Sequence, residues 1–185
     1  MDEPLSNLDA KLRESLRVEL TCLRRRLRTP MLYVTHDQVE ALSMADRIVV
    51  LSRGKVLQIG TPEEIYRSPS SPSVALQLGR PPVNLFTVRS IDGFWVTEQG
   101  LPLMEAEGEA GGEAVAGVRP EDIRAAGGDR PAKVRVVEET GAARILLIGW
   151  AGQDVHILSG RDARVKAGDT VFPSVDADRV VLWEK

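Results

Sequence analysis

Cysteine, aromatic side chains and long apolar runs are all scarce in this sequence, and each shortage removes a class of protein. Cys22 is the single cysteine among 185 residues, and one thiol forms neither an internal disulfide nor a multi-cysteine metal site. A reducing, cytosolic setting is the expectation. No apolar stretch approaches the roughly 20 residues that a membrane-spanning helix needs, and the opening Met1-Asp2-Glu3-Pro4-Leu5-Ser6 lacks the basic-then-apolar pattern of a secretion signal. Any work at a membrane therefore falls to partner subunits for the spans. Positive charge is not in excess either. The formal net charge is -3, which gives no overall basic field of the kind that draws a protein to nucleic acid or acidic lipid. What remains is an ordinary globular composition, 43% hydrophobic and 28% charged, enough for one core or two small ones and incompatible with disorder throughout.

Leu8, Leu12, Leu16, Leu20, Leu23 and Leu27 recur every three or four residues, which predicts a helix with a leucine stripe that ends before Pro30. Residues 31–35 form a short apolar run without polar alternation, the pattern of a strand buried on both faces of a parallel sheet; His36 tips its carboxyl end. Asp37 and Glu40 stand at capping-box spacing for a helix to about Ala45. Strands are expected at 47–51 and 55–59, joined at Ser52-Arg53-Gly54, and Thr61-Pro62-Glu63-Glu64 starts a helix to Arg67. After the turn-rich Ser68-Pro69-Ser70-Ser71-Pro72 and one more short helix, the domain boundary falls at 79/80. Beyond it the pattern changes to period two, with strands at 133–137, 144–148, 154–158, 170–175 and 179–183, the grammar of a small barrel or sandwich. Residues 104–114 have little to bury and read as a mobile loop. The expected fold class is thus α/β over residues 1–79, followed by an all-β barrel over 80–185.

Chemistry concentrates at two places. Asp2 and Glu3 are adjacent and lead into Ser6-Asn7-Leu8-Asp9-Ala10, while His36 is the only histidine of the first half. Open α/β sheets bind ligands beyond the carboxyl ends of their strands, where these acids and the imidazole can meet. Phosphoryl transfer from a nucleotide needs a carboxylate on Mg²⁺, a group that orients the attacking water, and donors on the γ-phosphate. An acid pair near a terminus is ordinarily solvated surface, and only the combination with the loop and with His36 favours the functional reading.

The segments Asp-Glu-Pro-Leu-Ser-Asn-Leu-Asp-Ala at 2–10 and Tyr-Val-Thr-His-Asp-Gln-Val-Glu-Ala at 33–41 resemble the Walker B, D-loop and switch-histidine segments of ABC ATPases in order and spacing. The likeness continues through 45–51 and 60–66, and then through Gly79-Arg80-Pro81-Pro82-Val83-Asn84 and Gly117-Val118-Arg119-Pro120-Glu121-Asp122. It is similar to the carbohydrate-importer branch, the maltose and glycerol-phosphate type, whose C-terminal barrel is related to the oligonucleotide-binding fold. The resemblance implies ATP and Mg²⁺ as cofactors of the full-length protein. Asp2 would hold Mg²⁺, Glu3 would act on the hydrolytic water, His36 would contact the γ-phosphate, and Ser6, Asn7 and Asp9 would lie at the facing subunit. It further implies a homodimer with a second ATPase subunit, transmembrane permease partners and a peripheral place on the inner face of the cell membrane; the net negative charge separately gives the expectation of no nucleic-acid partner.

What the family pattern requires and this sequence omits bears on activity. The Gly-x-x-x-x-Gly-Lys-Ser/Thr loop that cradles phosphates is absent, as are the Gln-containing loop and the Leu-Ser-Gly-Gly-Gln segment. Gly54-Lys55 is read as a hairpin turn and Leu158-Ser159-Gly160-Arg161-Asp162 as a decoy. Only Met1 remains of the strand that precedes the paired acids in the family, so a truncated chain is expected, inactive by itself, with residues 1–45 mobile, rearranged or paired with another copy. A stand-alone β-module that senses a small ligand or a regulatory protein is the alternative, and an oligonucleotide-binding barrel is a third reading by fold analogy. Of the remaining features, Arg24-Arg25-Arg26 with Arg28 reads as the wet side of a helix. Cys22 reads as packing, the three tryptophans as core or subunit contact, and His156 as a residue without a role.

Overall fold

The computed structural model describes residues 1–27, 29–106 and 111–184. The chain divides into two compact units, Met1–Ser68 and Pro69–Lys185, so the residues between Ser68 and the 79/80 boundary expected from sequence associate with the β-rich part.

In the first unit α1 (Ala10–Leu27) and α2 (Gln38–Met44) precede an antiparallel hairpin of β1 (Ile48–Ser52) and β2 (Lys55–Gly60), and α3 (Pro62–Arg67) follows. The hairpin turns at Arg53 and Gly54, with φ of 49° and 74°, a two-residue turn whose twist matches the strands. Thr61 and Glu64 form both halves of a capping box: Glu64 N donates to Thr61 Oγ1 at 3.2 Å and Thr61 N to the Glu64 carboxylate at 2.8 Å. Buried apolar side chains among the described residues of this unit are Leu5, Ile48, Val50 and Ile65. The helix expected from the leucine spacing forms as α1, with Leu12, Leu23 and Leu27 exposed on it. Two expectations fail here for want of neighbours. Cys22 is exposed rather than packed. Residues 31–35 are not a buried strand, since their one ladder contact is the isolated parallel bridge Asp2–Val34, and Leu32 is 80% exposed. A strand needs a partner on each edge to become a central strand, and the described residues of this unit supply one bridge. The expected parallel α/β sheet is accordingly not formed. In the arginine run, Arg24 pairs with Asp46; Arg28 lies outside the described residues.

The second unit is mostly β. After α4 (Pro72–Leu76), a five-stranded antiparallel sheet runs in the order β13 (Val181–Glu184), β6 (Glu113–Val118), β3 (Asn84–Ile91), β4 (Phe94–Thr97), β5 (Pro102–Glu105). A four-stranded sheet runs β10 (Gln153–Gly160), β9 (Ala143–Trp150), β8 (Ala132–Glu139), β11 (Thr170–Val171), and β7 (Ile123–Arg124) pairs with β12 (Ser174–Val175). Phe86, Val88, Val118, Leu146, Ile148, Val155 and Ile157 fill the space between the sheets, giving a barrel-like half of the kind expected. The tryptophans Trp95 and Trp150 belong to this core, and Trp183 donates from Nε1 to Pro69 O at 2.8 Å. The loop expected at 104–114 is shorter than foreseen: Met104 and Glu105 lie in β5, Glu113 and Ala114 in β6, and 107–110 lie outside the described residues.

Asn84 fastens one sheet to the other. Its side-chain oxygen accepts from His156 N at 2.8 Å, while Nδ2 donates to His156 O at 2.9 Å and Val118 O at 3.2 Å. The amide acts as a piece of backbone, completing a ladder between β3 and β10 that the main chain leaves open. Gln153 Nε2 adds a bond to Leu85 O at 2.8 Å. Arg119, buried, likewise donates to the carbonyls of Ala75 and Leu78 at the end of α4. Asn84→Ala strands buried backbone groups on His156, a loss of about 1–3 kcal/mol, and urea unfolding of the β-unit should show its midpoint falling with the slope unchanged.

Candidate functional site

The candidate residues are assembled by backbone pairing rather than by a packed core. Val34 N donates to Met1 O at 2.9 Å, Glu3 N donates to Val34 O at 2.9 Å, and the Met1 ammonium donates to Leu32 O at 2.8 Å. This parallel register carries Glu3 alongside the residues that follow Val34. Glu3 itself adopts φ of 41°, the left-handed region that costs a non-glycine residue energy and is worth noting at a candidate site. Glu3 Oε1 then lies 2.9 Å from His36 Nδ1, with both side chains well exposed. The imidazole pKa is raised above its ordinary value, first by that hydrogen bond and then by the carboxylate charge.

The structure brings Glu3 and His36 together; the other candidates take separate positions. Asp2 occupies the bridge opposite Val34 and is exposed. Ser6 folds back, its Oγ donating to Glu3 O at 2.9 Å. Asp9 Oδ1 accepts from Leu12 N at 3.0 Å and so satisfies an orphan donor in the first turn of α1. Asn7 is exposed. Among the described residues there is no group of three His, Cys, Asp or Glu side chains able to hold a metal ion. With Glu3 engaged by His36, Asp2 offers a single carboxylate. The residues present therefore do not make a Mg²⁺ site by themselves, since that ion is held by one or two carboxylates together with substrate phosphates and water.

The TOBE domain model matches residues 116–183. The sn-glycerol-3-phosphate import ATP-binding protein UgpC of Jannaschia sp. (strain CCS1) is 46% identical over 90% of this chain and 48% of its own length. Its counterpart in Ralstonia nicotianae (strain ATCC BAA-1114 / GMI1000) is 44% identical over 97% of this chain and 53% of its own; that of Cupriavidus pinatubonensis (strain JMP 134 / LMG 1197) is 45% identical over 99% and 55%. This chain is homologous to ABC importer ATP-binding proteins. It spans about half the length of the curated relatives it matches. A solved structure of the cytoplasmic molybdate-binding protein ModG covers 54% of this chain and 94% of its own at 16% identity and a TM-score of 0.45, too distant a likeness to carry an argument.

Within this importer-type segment two supporting residues escape a reading by motif. Arg13 donates from Nη2 to Leu8 O at 2.9 Å and from Nε to Leu5 O at 3.3 Å, and Nη1 lies 3.9 Å from Asp37 Oδ2. One guanidinium thus ties the 5–8 loop to the start of α2, which suits a rigid five-donor fork. Glu40 is buried and accepts from Thr35 Oγ1 at 2.7 Å and Tyr33 Oη at 3.0 Å. Asp37 caps α2 as expected, accepting from Val39 N and Glu40 N, but the reciprocal half of the box is missing because Glu40 faces the 33–35 segment. Asp37 N donates to Thr35 Oγ1 instead, at 3.0 Å. Burial, followed by the Glu40 bond, pushes the Tyr33 pKa up to about 12. The Tyr33-x-Thr35 spacing ahead of Glu40 was the available signal, masked by the capping-box pattern.

A raised His36 pKa means that the folded chain holds this proton more tightly than the unfolded one. The pair's contribution is then complete below the ordinary imidazole range and is lost as pH climbs through the folded value. Following the His36 ring protons by NMR against pH should show the midpoint dropping to the ordinary range in Glu3→Gln. An unchanged midpoint would mean that the 2.9 Å contact is not populated in solution.

Proposed function

We propose that these residues are the C-terminal portion of the ATP-hydrolysing subunit of an ABC importer for a sugar or a related solute such as a glycerol phosphate. In the complete subunit, ATP binding and hydrolysis close a dimer on the inner face of the membrane and drive uptake through permease partners. The reading rests on one geometric observation: Glu3 and His36, 33 positions apart, meet at 2.9 Å through a backbone register that involves no other side chain.

In that role Glu3 orients and polarises the attacking water. His36 contacts the γ-phosphate and holds Glu3 in place between turnovers. Asp2 carries Mg²⁺ with the nucleotide, and Ser6, Asn7 and Asp9 line the contact with the second subunit. A polypeptide with this sequence has the water side of the reaction without the backbone donors and lysine that fix the phosphates, so it is inactive alone. Residues 1–79 supply the nucleotide-binding segment and 80–185 the regulatory barrel. No helix among the described residues is long and apolar enough to cross a membrane, and the spans of the importer belong to the permeases.

Joining a phosphate-cradle half from one of the relatives to this sequence should restore ATP turnover. Glu3→Gln in that hybrid should cut turnover by about a hundredfold or more, the scale of a lost general base, while leaving ATP affinity within a few-fold. Hydrolysis that survives the substitution would remove Glu3 from the reaction.

A further inference from the structure

The turn that carries His36 is closed by a side chain. Thr35 Oγ1 accepts from Asp37 N at 3.0 Å, two residues on, and donates to Glu40 Oε2 at 2.7 Å. An amide N–H only donates and a carboxylate oxygen only accepts, so the direction of the Thr35 hydroxyl proton is fixed. Glu40 is 4% exposed, which leaves water little access to the oxygen that takes this proton. Tyr33 Oη donates to the same oxygen at 3.0 Å. On the other side of His36, Asp37 is held to α2 through Oδ1, which accepts from Val39 N at 2.8 Å and from Glu40 N at 3.4 Å.

Both neighbours of residue 36 are thus tied down, while its ring is not. The His36 side chain is 71% exposed, and among the described residues its ring bonds Glu3 alone, at 2.9 Å. Two exposed side chains hold a single geometry only at an entropic cost, so the backbones that carry them have to do the placing. Glu3 is placed by its own N–H, bonded to Val34 O; His36 is placed by the Thr35 turn. A threonine hydroxyl bonded to an N–H two residues on is ordinarily a local turn device with no further role. Two observations set this one apart: its proton goes to a buried carboxylate on the next helix, and the residue it encloses is the one that meets Glu3.

We infer that Thr35, oriented by Glu40, is a positioning residue that aims the His36 imidazole at Glu3. Its bearing on ATP hydrolysis rests on the roles proposed above for Glu3 and His36, whereas the placement of the ring does not.

The test is an NMR titration of the His36 ring protons in the full 185-residue chain, without nucleotide, for Thr35→Val, Thr35→Ser and Tyr33→Phe. The charged groups that act on the ring are Glu3, then Asp37 and Glu40 of α2. None of the three substitutions removes one of them, so a change in midpoint reports geometry. Thr35→Val keeps the side-chain shape and deletes the hydroxyl. Its His36 midpoint should fall from the raised value of the unaltered chain to the ordinary range, and its Asp37 amide should exchange several-fold faster while the Glu3 and Val34 amides keep their protection. Thr35→Ser should recover the raised midpoint. Tyr33→Phe, which takes the other donor from the same Glu40 oxygen, should leave the midpoint raised. An unchanged midpoint in Thr35→Val, an equal fall in Tyr33→Phe, or no recovery with serine overturns the inference. So does loss of protection at Glu3 and Val34 along with the shift, which would make Thr35 a residue of the fold alone, and so does an ordinary midpoint in the unaltered chain. With no nucleotide present, these outcomes are read separately from the turnover of the Glu3→Gln hybrid.

Discussion

Three main-chain hydrogen bonds between residues 1–3 and residues 32–34 are the constraint from which the candidate site follows. They determine the register, and the register sets Glu3 beside His36. Because the bonds are made by backbone atoms, the pairing survives although the surrounding side chains bury almost nothing: Leu32 and Val34 are exposed, and Leu5 is the buried apolar residue nearest in sequence to Glu3. Arg13 and Glu40 reinforce the arrangement, one tying the 5–8 loop to the start of α2 and the other joining Tyr33 and Thr35 to α2. The site is thus a small polar network resting on a parallel bridge. Exposed hydrogen bonds with few apolar contacts mark the low end of local stability in a protein.

The second unit is organised by the opposite means. Its sheets enclose a continuous apolar core, and two buried polar side chains are put to structural use: Asn84 completes a ladder between β3 and β10, and Arg119 binds the carbonyls at the end of α4. Gly117 shows how tightly the edge strand lies on this sheet. A Cβ there would come within 2.6 Å of the Trp183 ring, so any larger residue at 117 obliges that ring to move. This unit has the core that a stand-alone module requires, and the first does not. That contrast keeps a small-ligand role of the barrel compatible with importer ancestry.

Much of this was legible in the sequence where local rules decide the outcome. The Arg53-Gly54 turn, the Thr61–Glu64 capping box and the strands 133–137, 144–148 and 154–158 lie where turn chemistry and period two put them. The strands between 84 and 118 were not foreseen, and their inward positions explain why. In β3 they are Asn84, Phe86, Val88 and Ser90, with polar residues at both ends. In β6 two of them are the small Ala114 and Ala116. Alternation of apolar side chains fades when an inward position is filled by an amide that acts as backbone. The error at 31–35 has another origin: the run has the composition of a central strand, but composition cannot provide the neighbouring strands. For the candidate site, the motifs named Glu3 and His36, and the structure supplied what spacing could not, namely their contact and the roles of Arg13 and Glu40.

The proposed function reduces to a division of labour in phosphoryl transfer: in that reading Glu3 and His36 would handle water and the terminal phosphate, while the Gly-x-x-x-x-Gly-Lys-Ser/Thr pattern that grips the phosphate chain is absent from the 185 residues. Titrating the pure 185-residue polypeptide with MgATP, with phosphate release followed in the same sample, tests this most directly. No saturable nucleotide binding and no release above buffer are predicted. Tight MgATP binding or steady phosphate release would contradict the claim that an acid pair and an imidazole cannot hold a nucleotide without a glycine cradle and its lysine.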